Sequence, residues 1–169
     1  MAKKTGKRSA ASNDFLEPLA PTGVSASNVG TGRAFNNGAA TVTFSLPALS
    51  PAATSFTVTS SPGGYTGTGA SSPITVEGLQ SATAYTFTVT ATNAAGTSQA
   101  SAASASITAT TVPAQMSAPT PTAGVNQNSI AFSAAADGGS AITSFTVTGS
   151  DATTGSGATS PIVIGDTAN

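Results

Sequence analysis

The sequence contains no cysteine, no histidine and no tryptophan. It therefore lacks the thiolate and imidazole groups that most often serve nucleophilic catalysis, soft-metal binding and proton transfer near neutral pH. This composition argues against a conventional hydrolase or zinc enzyme, and we predict a protein without enzymatic activity or cofactor. The absence of cysteine fits a reducing compartment as well as a fold that needs no disulfide, so it does not identify the location.

Charge is also scarce. Charged residues make up 7% of the chain, against about 25% in an ordinary globular protein, so solubility must depend on hydroxyl and backbone groups. The charge is unevenly distributed, because the first eight residues carry +4 whereas Arg33 and six acidic residues give the remainder −5. We interpret the basic end as a separate functional element. Its basic residues are Lys3, Lys4, Lys7 and Arg8.

Long apolar runs are missing as well. The basic start is followed by the small polar residues Ser9 to Asp14 rather than by an apolar stretch of secretory length. No segment approaches the length of a membrane span. We therefore expect no membrane insertion.

What the sequence does contain is an internal repeat. The Phe44 segment Thr-Val-Thr-Phe-Ser returns as Ser-Ile-Ala-Phe-Ser around Phe132, and Thr-Ser-Phe-Thr-Val-Thr around Phe56 returns unchanged around Phe145. The first pair of phenylalanines lies 88 positions apart and the second pair 89. The glycine-rich stretch that ends in Ser-Pro-Ile also recurs. The sequence therefore predicts two tandem copies of one β module.

The second copy has no counterpart of the Tyr85–Thr90 segment before Asn169. Half a sandwich would expose the inner faces of its strands, which a monomer in water does not tolerate. We expect the polypeptide to continue beyond Asn169; the alternative is that another chain supplies the missing strands by edge addition. The inner-face residues expected to be exposed are Phe132, Phe145, Val147 and Ile162.

The first copy alternates apolar and hydroxyl residues in short runs separated by glycine, proline and asparagine turns. This pattern is typical of antiparallel strands in a sandwich, and it predicts about seven strands in two sheets. Turns are predicted at Ser61–Gly64 and Asn93–Gly96. The predicted inward-facing residues are Val42, Phe44, Leu46, Phe56, Val58, Ile74, Val76, Leu79, Tyr85, Phe87, Val89 and Ala91.

The segment from Leu79 through Tyr85, with its alternating apolar residues and the Thr92–Ser98 hairpin, resembles the second half of a fibronectin type III domain. The resemblance covers residues 21–112 and, incompletely, 114–169. It implies an all-β, immunoglobulin-like (fibronectin type III) β-sandwich in tandem, with the second copy incomplete. It also implies a tyrosine corner, in which the Tyr85 hydroxyl bonds to the backbone near Leu79. Phe44 and Phe132 stand where family members usually carry tryptophan; such small cores are similar to the bacterial and bacteriophage versions.

Four segments organise the chain: an extended N-terminal arm (residues 1–20), the first sandwich (21–112), a linker (113–121) and the incomplete second sandwich (122–169). Three prolines make the linker semi-rigid. A solvated tail is one interpretation of the arm. We favour a docking arm, in which the four basic residues face an acidic partner. Its apolar anchors are Phe15, Leu16 and Leu19.

Few residues suggest a catalytic or ligand-binding site. Asp137-Gly138-Gly139 could begin a calcium loop, but no further acids lie near it and a turn is the better interpretation. Asp151 and Asp166 stand alone, as solvated loop acids do. The Gly64–Gly69 stretch, which includes Tyr65, lacks the Lys-Ser/Thr ending of a phosphate loop, so we predict a glycine-rich strand connection. Without interleaved aromatic residues, the basic arm would bind nucleic acid only non-specifically, so protein docking is preferred.

The resemblance to phage modules implies a non-enzymatic structural component of a bacteriophage virion. We expect a capsid decoration, neck, tail or fibre protein, made in the host cytoplasm and released in the virion by lysis. Its arm would contact other virion proteins in a multimeric assembly, and its sandwiches would project for weak adhesion to host-surface glycans. The alternative is a spacer or carbohydrate-adhesive accessory region of a bacterial surface protein or polysaccharide-degrading enzyme.

Overall fold

A computed structural model describes residues 16–30 and 32–165 of the chain. Within these residues the secondary structure consists of β-strands joined by turns and extended segments, without a helix. The strands are β1 (Thr22–Asn28), β2 (Gly38–Ser45), β3 (Ser55–Ser61), β4 (Thr66–Gly69), β5 (Ile74–Leu79), β6 (Ala84–Asn93), β7 (Gly96–Thr97), β8 (Ile107–Thr108), β9 (Thr120–Gly124), β10 (Gln127–Ala131), β11 (Phe145–Thr148), β12 (Thr154–Gly157) and β13 (Ile162–Gly165).

The first repeat forms two sheets, as predicted. One sheet has the order β1-β2-β5, and the other has the order β4-β3-β6-β7, with β8 also paired to β6. The fold is therefore an all-β, immunoglobulin-like sandwich. The described part of this repeat has eight strands rather than about seven. The last two strands, β7 and β8, are short and are separated by residues 98–106, which pair with β6 through serine side chains.

The alternation of β3 and β6 matches the sequence pattern. Phe56 pairs with Ala91 and Val58 with Val89, and these apolar side chains are buried. The rings of Phe44 and Phe56, from the two sheets, lie 4.9 Å apart at an interplanar angle of 52°. The core that they join is buried on folding and supplies most of the driving force. Its other large members are Val42, Ile74, Val76, Leu79, Tyr85, Phe87 and Val89.

The glycine-rich segment forms strand β4, and its glycines allow close packing on β5. A Cβ atom on Gly67 would lie 3.0 Å from Ile74 Cγ2, and one on Gly69 would lie 3.1 Å from Ile74 Cγ1. A side chain at Gly67 would also collide with the Thr75 carbonyl oxygen of β5, and one at Gly69 would be crowded by Ile74. The segment is a strand that packs closely on its neighbour, not a phosphate-binding loop. Tyr65, just before it, packs edge-on against Tyr85 at a ring distance of 5.9 Å.

Residues 98–106 pair with β6 through their serines. Every third residue is a buried serine, and the residues between them are exposed. The N–H of each serine donates to the carbonyl oxygen of one β6 residue, and the N–H of that same β6 residue donates to the serine Oγ. The serine hydroxyl in turn donates to the carbonyl oxygen of the residue that follows the serine in the chain. The pairs are Ser98 with Ala91, Ser101 with Val89, and Ser104 with Phe87. We call these three residues the serine ladder.

The second repeat reproduces part of the first. Its sheets have the orders β13-β10-β9 and β11-β12. Phe132 and Phe145 meet at 4.8 Å and 51°, almost the geometry of the first phenylalanine pair. The N–H of Phe132 bonds Ser160 Oγ at 2.9 Å, as that of Phe44 bonds Ser72 Oγ at 3.0 Å. The shared pattern in the sequence therefore produces the same local structure twice.

One expectation about the second repeat is wrong. Ile162 is buried, with 5% of its surface exposed, although we expected it on an open inner face. It is covered because β12 carries glycine opposite it: a Cβ on Gly155 would lie 3.1 Å from Ile162 Cγ2, and one on Gly157 3.5 Å from Cγ1. Phe132, Phe145 and Val147 are only partly buried.

The described residues group into two compact units. One comprises residues 16–27, 40–77 and 85–107, and the other comprises 28–30, 32–39, 78–84 and 108–165. In the second unit, Asp137-Gly138-Gly139 forms a turn, as predicted. The Thr111 N–H donates to Gly138 O at 2.9 Å, and the Ala114 N–H donates to Ala136 O at 2.9 Å. Residues 111 and 114, on either side of the start of the linker, are thus held by backbone hydrogen bonds to residues 138 and 136.

Candidate docking surface

The segment that precedes β1 is fastened to loops of its own unit. Asn93 Nδ2 donates to Leu16 O at 2.8 Å, and the Leu19 N–H donates to Ser50 Oγ at 2.9 Å. Pro18 between them is buried. The backbone of this segment is therefore held by polar contacts at both ends and by packing in the middle.

Asn93 is oriented by its own turn. Its Oδ1 accepts the N–H groups of Ala95 and Gly96 at 2.9 and 3.2 Å, which leaves Nδ2 facing Leu16 O. A Cβ on Gly96 would lie 2.5 Å from Glu17 Oε1, so the Glu17 side chain packs directly against this turn. The hairpin that the sequence predicted as a turn thus also receives the N-terminal segment.

The leucine side chains of this region point to solvent. Leu16 is 59% exposed, Leu19 48% and Leu49 86%. The bond from Leu19 to Ser50 places Leu49, the residue before Ser50, beside the segment. We call these three residues the leucine patch. These large apolar side chains are thus exposed on a backbone that is held in place, and they do not belong to the core.

Two of the predicted anchors, Leu16 and Leu19, belong to this patch. The remaining docking residues, Lys3, Lys4, Lys7, Arg8 and Phe15, lie outside the described residues. Sequence reasoning missed Leu49, because it lies in the turn after Pro47 and belongs to no alternating run. It also missed the part of Asn93 in holding the segment, although its position in an Asn-Ala-Ala-Gly turn was a usable signal.

The predicted corner residues are both buried. Tyr85 is 2% exposed and Leu79 is fully buried. The Tyr85 ring lies 6.4 Å from that of Phe87. The bond from its hydroxyl to the backbone near Leu79 stays a prediction.

The described residues hold no chemically active cluster. Within residues 16–30 and 32–165 no three His, Cys, Asp or Glu side chains come together as metal ligands would. Asp137 Oδ1 accepts the Gly139 N–H at 2.8 Å, and Asp151 Oδ1 accepts the Thr153 N–H and hydroxyl at 3.1 and 2.7 Å. These carboxylates cap turns. Asp166 is outside the described residues, and the described part contains no helix able to cross a membrane.

The outer face of the β4-β3-β6 sheet carries rows of threonine. Thr57 lies between Thr68 on β4 and Thr90 on β6. Thr59 lies in the same way between Thr66 and Thr88. Residues opposite each other on neighbouring strands have Cβ atoms about 4.5–5.5 Å apart. Hydroxyl and methyl groups are therefore repeated across three strands without a charged residue among them.

The model of the fibronectin type III domain family matches residues 19–107. The chain belongs to this family, whose fold is typically a non-catalytic structural or adhesion module. A comparison with curated proteins found no match.

Solved structures with a similar fold include titin kinase with its flanking domains, at 26% identity over 54% of this chain and 17% of that one, with a TM-score of 0.44. Domains from titin match at 25% identity over 54% and 32%, with a TM-score of 0.45. The FN1-FN3 domains of chicken CNTN1 match at 20% identity over 69% and 42%, with a TM-score of 0.46. The chain thus spans less than half the length of each.

Proposed function

We propose that the chain is a structural component of a bacteriophage virion that docks through its N-terminal segment and projects its sandwiches outward. Capsid decoration, neck, tail and fibre positions all fit this function. The basic arm would face an acidic site on another virion protein, and the leucine patch would be buried there. The assembly would be multimeric and located in the virion.

The observation that carries the docking part is the leucine patch. Its backbone is fixed by Asn93 and Ser50, so little conformational entropy remains to be lost when a partner covers Leu16 and Leu19. The small phenylalanine cores and the near absence of charge support the virion context, because they are similar to those of phage modules. Neither feature requires a catalytic group.

The first prediction concerns the patch. We expect the triple variant Leu16→Ser, Leu19→Ser, Leu49→Ser to bind particles that lack this protein at least ten-fold more weakly than the wild type. Burying one leucine contributes about 1.5–3 kcal/mol, and about 1.4 kcal/mol corresponds to a factor of ten. The measurement is co-sedimentation with purified particles at two salt concentrations.

Val125→Ser is the matched control, since Val125 is 90% exposed and lies in the second repeat. A form that begins at Leu16 separates the basic arm from the patch: it should lose the salt-sensitive part of the binding and keep the rest. If the wild type does not sediment with the particles at either salt concentration, the proposal is wrong.

A second function is favoured by the threonine rows on β4, β3 and β6. In this alternative the chain is a spacer or carbohydrate-adhesive accessory region of a bacterial surface protein or polysaccharide-degrading enzyme. Uncharged hydroxyls in a regular array can exchange hydrogen bonds with sugar hydroxyls. The absence of an aromatic platform on that face implies weak binding.

The corresponding prediction is that the variant Thr57→Val, Thr88→Val, Thr90→Val loses retention on immobilised host-surface polysaccharide while it keeps its fold. Valine has the shape of threonine and removes only the hydroxyl. Thr22→Val with Thr43→Val, on the other sheet, is the control and should be retained like the wild type. Retention by the wild type together with failure to bind particles would favour this second function.

A further inference from the structure

Asn37 and Gly38 form an asparagine–glycine pair at the beginning of β2, and no other asparagine of the chain is followed by glycine. In such a pair the backbone nitrogen of the second residue can reach the asparagine Cγ and close a five-membered ring. A side chain on the second residue hinders this approach, and glycine has none. The local sequence therefore favours cyclisation at Asn37 over every other asparagine of the chain.

The Asn37 side chain is exposed, and none of the described residues forms a hydrogen bond with it. The side chain of Asn36 is held instead. Its Oδ1 accepts the Ser81 N–H at 3.2 Å, and the Asn36 N–H donates to Ser81 Oγ at 2.8 Å. Cγ of Asn37 can therefore turn towards the Gly38 nitrogen, whereas Cγ of Asn36 is fixed by its partner.

Arg33 acts on the peptide group that supplies the attacking nitrogen. Arg33 Nε donates to the carbonyl oxygen of Asn37 at 2.6 Å. This carbonyl is conjugated with the Gly38 nitrogen, so the oxygen shares the negative charge when the nitrogen loses its proton. A guanidinium bonded to that oxygen stabilises the charged form. Arg33 therefore makes it easier to form the nucleophile, which is the deprotonated nitrogen.

The turn before β2 holds Arg33 in this position. The Asn37 N–H donates to Ala34 O at 2.9 Å, which closes the turn, and the Val112 N–H donates to Arg33 O at 2.9 Å. Gly38 is the first residue of β2, and the ends of strands open locally at a low free energy. The fold thus places a cation on the Asn37 carbonyl at a point where the backbone can still adjust.

We propose that Asn37 is a site of spontaneous deamidation that Arg33 promotes. The deprotonated Gly38 nitrogen bonds to Asn37 Cγ, the Cγ–Nδ2 bond breaks, and the amide nitrogen takes up a proton and leaves as ammonia. Water then adds to either carbonyl of the succinimide ring and opens it, which gives aspartate or isoaspartate at position 37. Water is consumed, ammonia is released, and nothing is oxidised or reduced. This inference is independent of the proposed function.

The products differ from the original chain in charge and in backbone length. A carboxylate changes the formal net charge from −1 to −2. Isoaspartate also adds one carbon atom to the main chain immediately before Gly38, which has little room to move. A Cβ on Gly38 would lie 3.1 Å from both Ala109 Cβ and Leu79 O. The isoaspartyl form should therefore be the less stable product, and the products should accumulate with the age of the chain.

Peptide mapping by mass spectrometry tests the site. The full chain is incubated at one pH and temperature, conversion is located by fragmentation, and chromatography separates the aspartyl and isoaspartyl peptides. Asn37 is expected to convert about ten-fold faster than Asn36 or Asn93 in the same sample, because both of these side chains are held by hydrogen bonds. A synthetic peptide of residues 32–42 provides the reference rate. Equal rates at the three asparagines, or no conversion at Asn37 while the peptide converts fully, would overturn the proposal.

Variants of Arg33 test the promotion. Arg33→Met removes the charge and should slow the conversion of Asn37 by about five-fold, since solvent screens a half-buried charge. Arg33→Lys keeps the charge and should stay close to the wild-type rate. If Arg33 only held the turn, its loss would loosen the backbone, and Asn37 would convert faster in both variants. That outcome would overturn the role of Arg33. Circular dichroism checks that both variants fold.

Discussion

Removing the three hydroxyls of the serine ladder is expected to destabilise the first repeat severely. Ser98, Ser101 and Ser104 each accept a β6 N–H that has no other acceptor on that side of the strand. Replacement by alanine leaves a buried donor unsatisfied, at a cost of about 1–3 kcal/mol for each group. The triple variant should lose about 5 kcal/mol, which is comparable to the whole stability of a small domain, about 5–15 kcal/mol.

Thermal unfolding followed by circular dichroism measures the effect. A loss of this size should lower the midpoint by about 20 °C or more. Ser106→Ala is the matched control, because Ser106 belongs to the same segment and is exposed; its effect should stay within about 0.5 kcal/mol. A triple variant that unfolds within a few degrees of the wild type would show that β6 does not depend on these hydroxyls.

The pairing of the serine ladder with β6 could not be predicted from the sequence, whereas the main strands could. Alternation with a period of two predicted β2, β3, β5 and β6 because each buries one face, and burial imposes that period. Residues 98–106 have a period of three, which matches neither a half-buried strand nor a helix. The spacing of Ser98, Ser101 and Ser104 was visible in the sequence. It could not be interpreted without the structure, in which serine hydroxyls accept the β6 N–H groups that backbone carbonyls accept in an ordinary sheet.

The leucine patch could be predicted only in part. Leu16 and Leu19 were identifiable as an apolar cluster in a polar arm. Leu49 was not, because its exposure results from the path of the loop and not from its neighbours in the sequence. The burial of Ile162 could not be predicted for a similar reason. It results from the close approach of the glycines on β12, which depends on tertiary structure and not on the neighbours of Ile162 in the sequence.

Alanine at Gly138 is expected to lower the free energy of unfolding by about 3 kcal/mol. Two effects add. The residue has a φ of 73°, where an L-residue costs about 1–2 kcal/mol. A Cβ there would also lie 2.5 Å from Val112 O, 2.6 Å from Thr111 O and 2.8 Å from Thr111 Oγ1. These are mostly backbone atoms, which cannot rotate away, and such overpacking costs about 1–3 kcal/mol.

Gly64→Ala separates the two effects. Gly64 has a φ of 62° but open space around the position of a Cβ, so only the conformational cost of about 1–2 kcal/mol should appear. Gly165→Ala, with neither a positive φ nor a neighbour within 4 Å, should be neutral. Urea denaturation compares the three. If Gly138→Ala costs no more than Gly64→Ala, the turn does not press on residues 111 and 112, although the Thr111 N–H donates to Gly138 O.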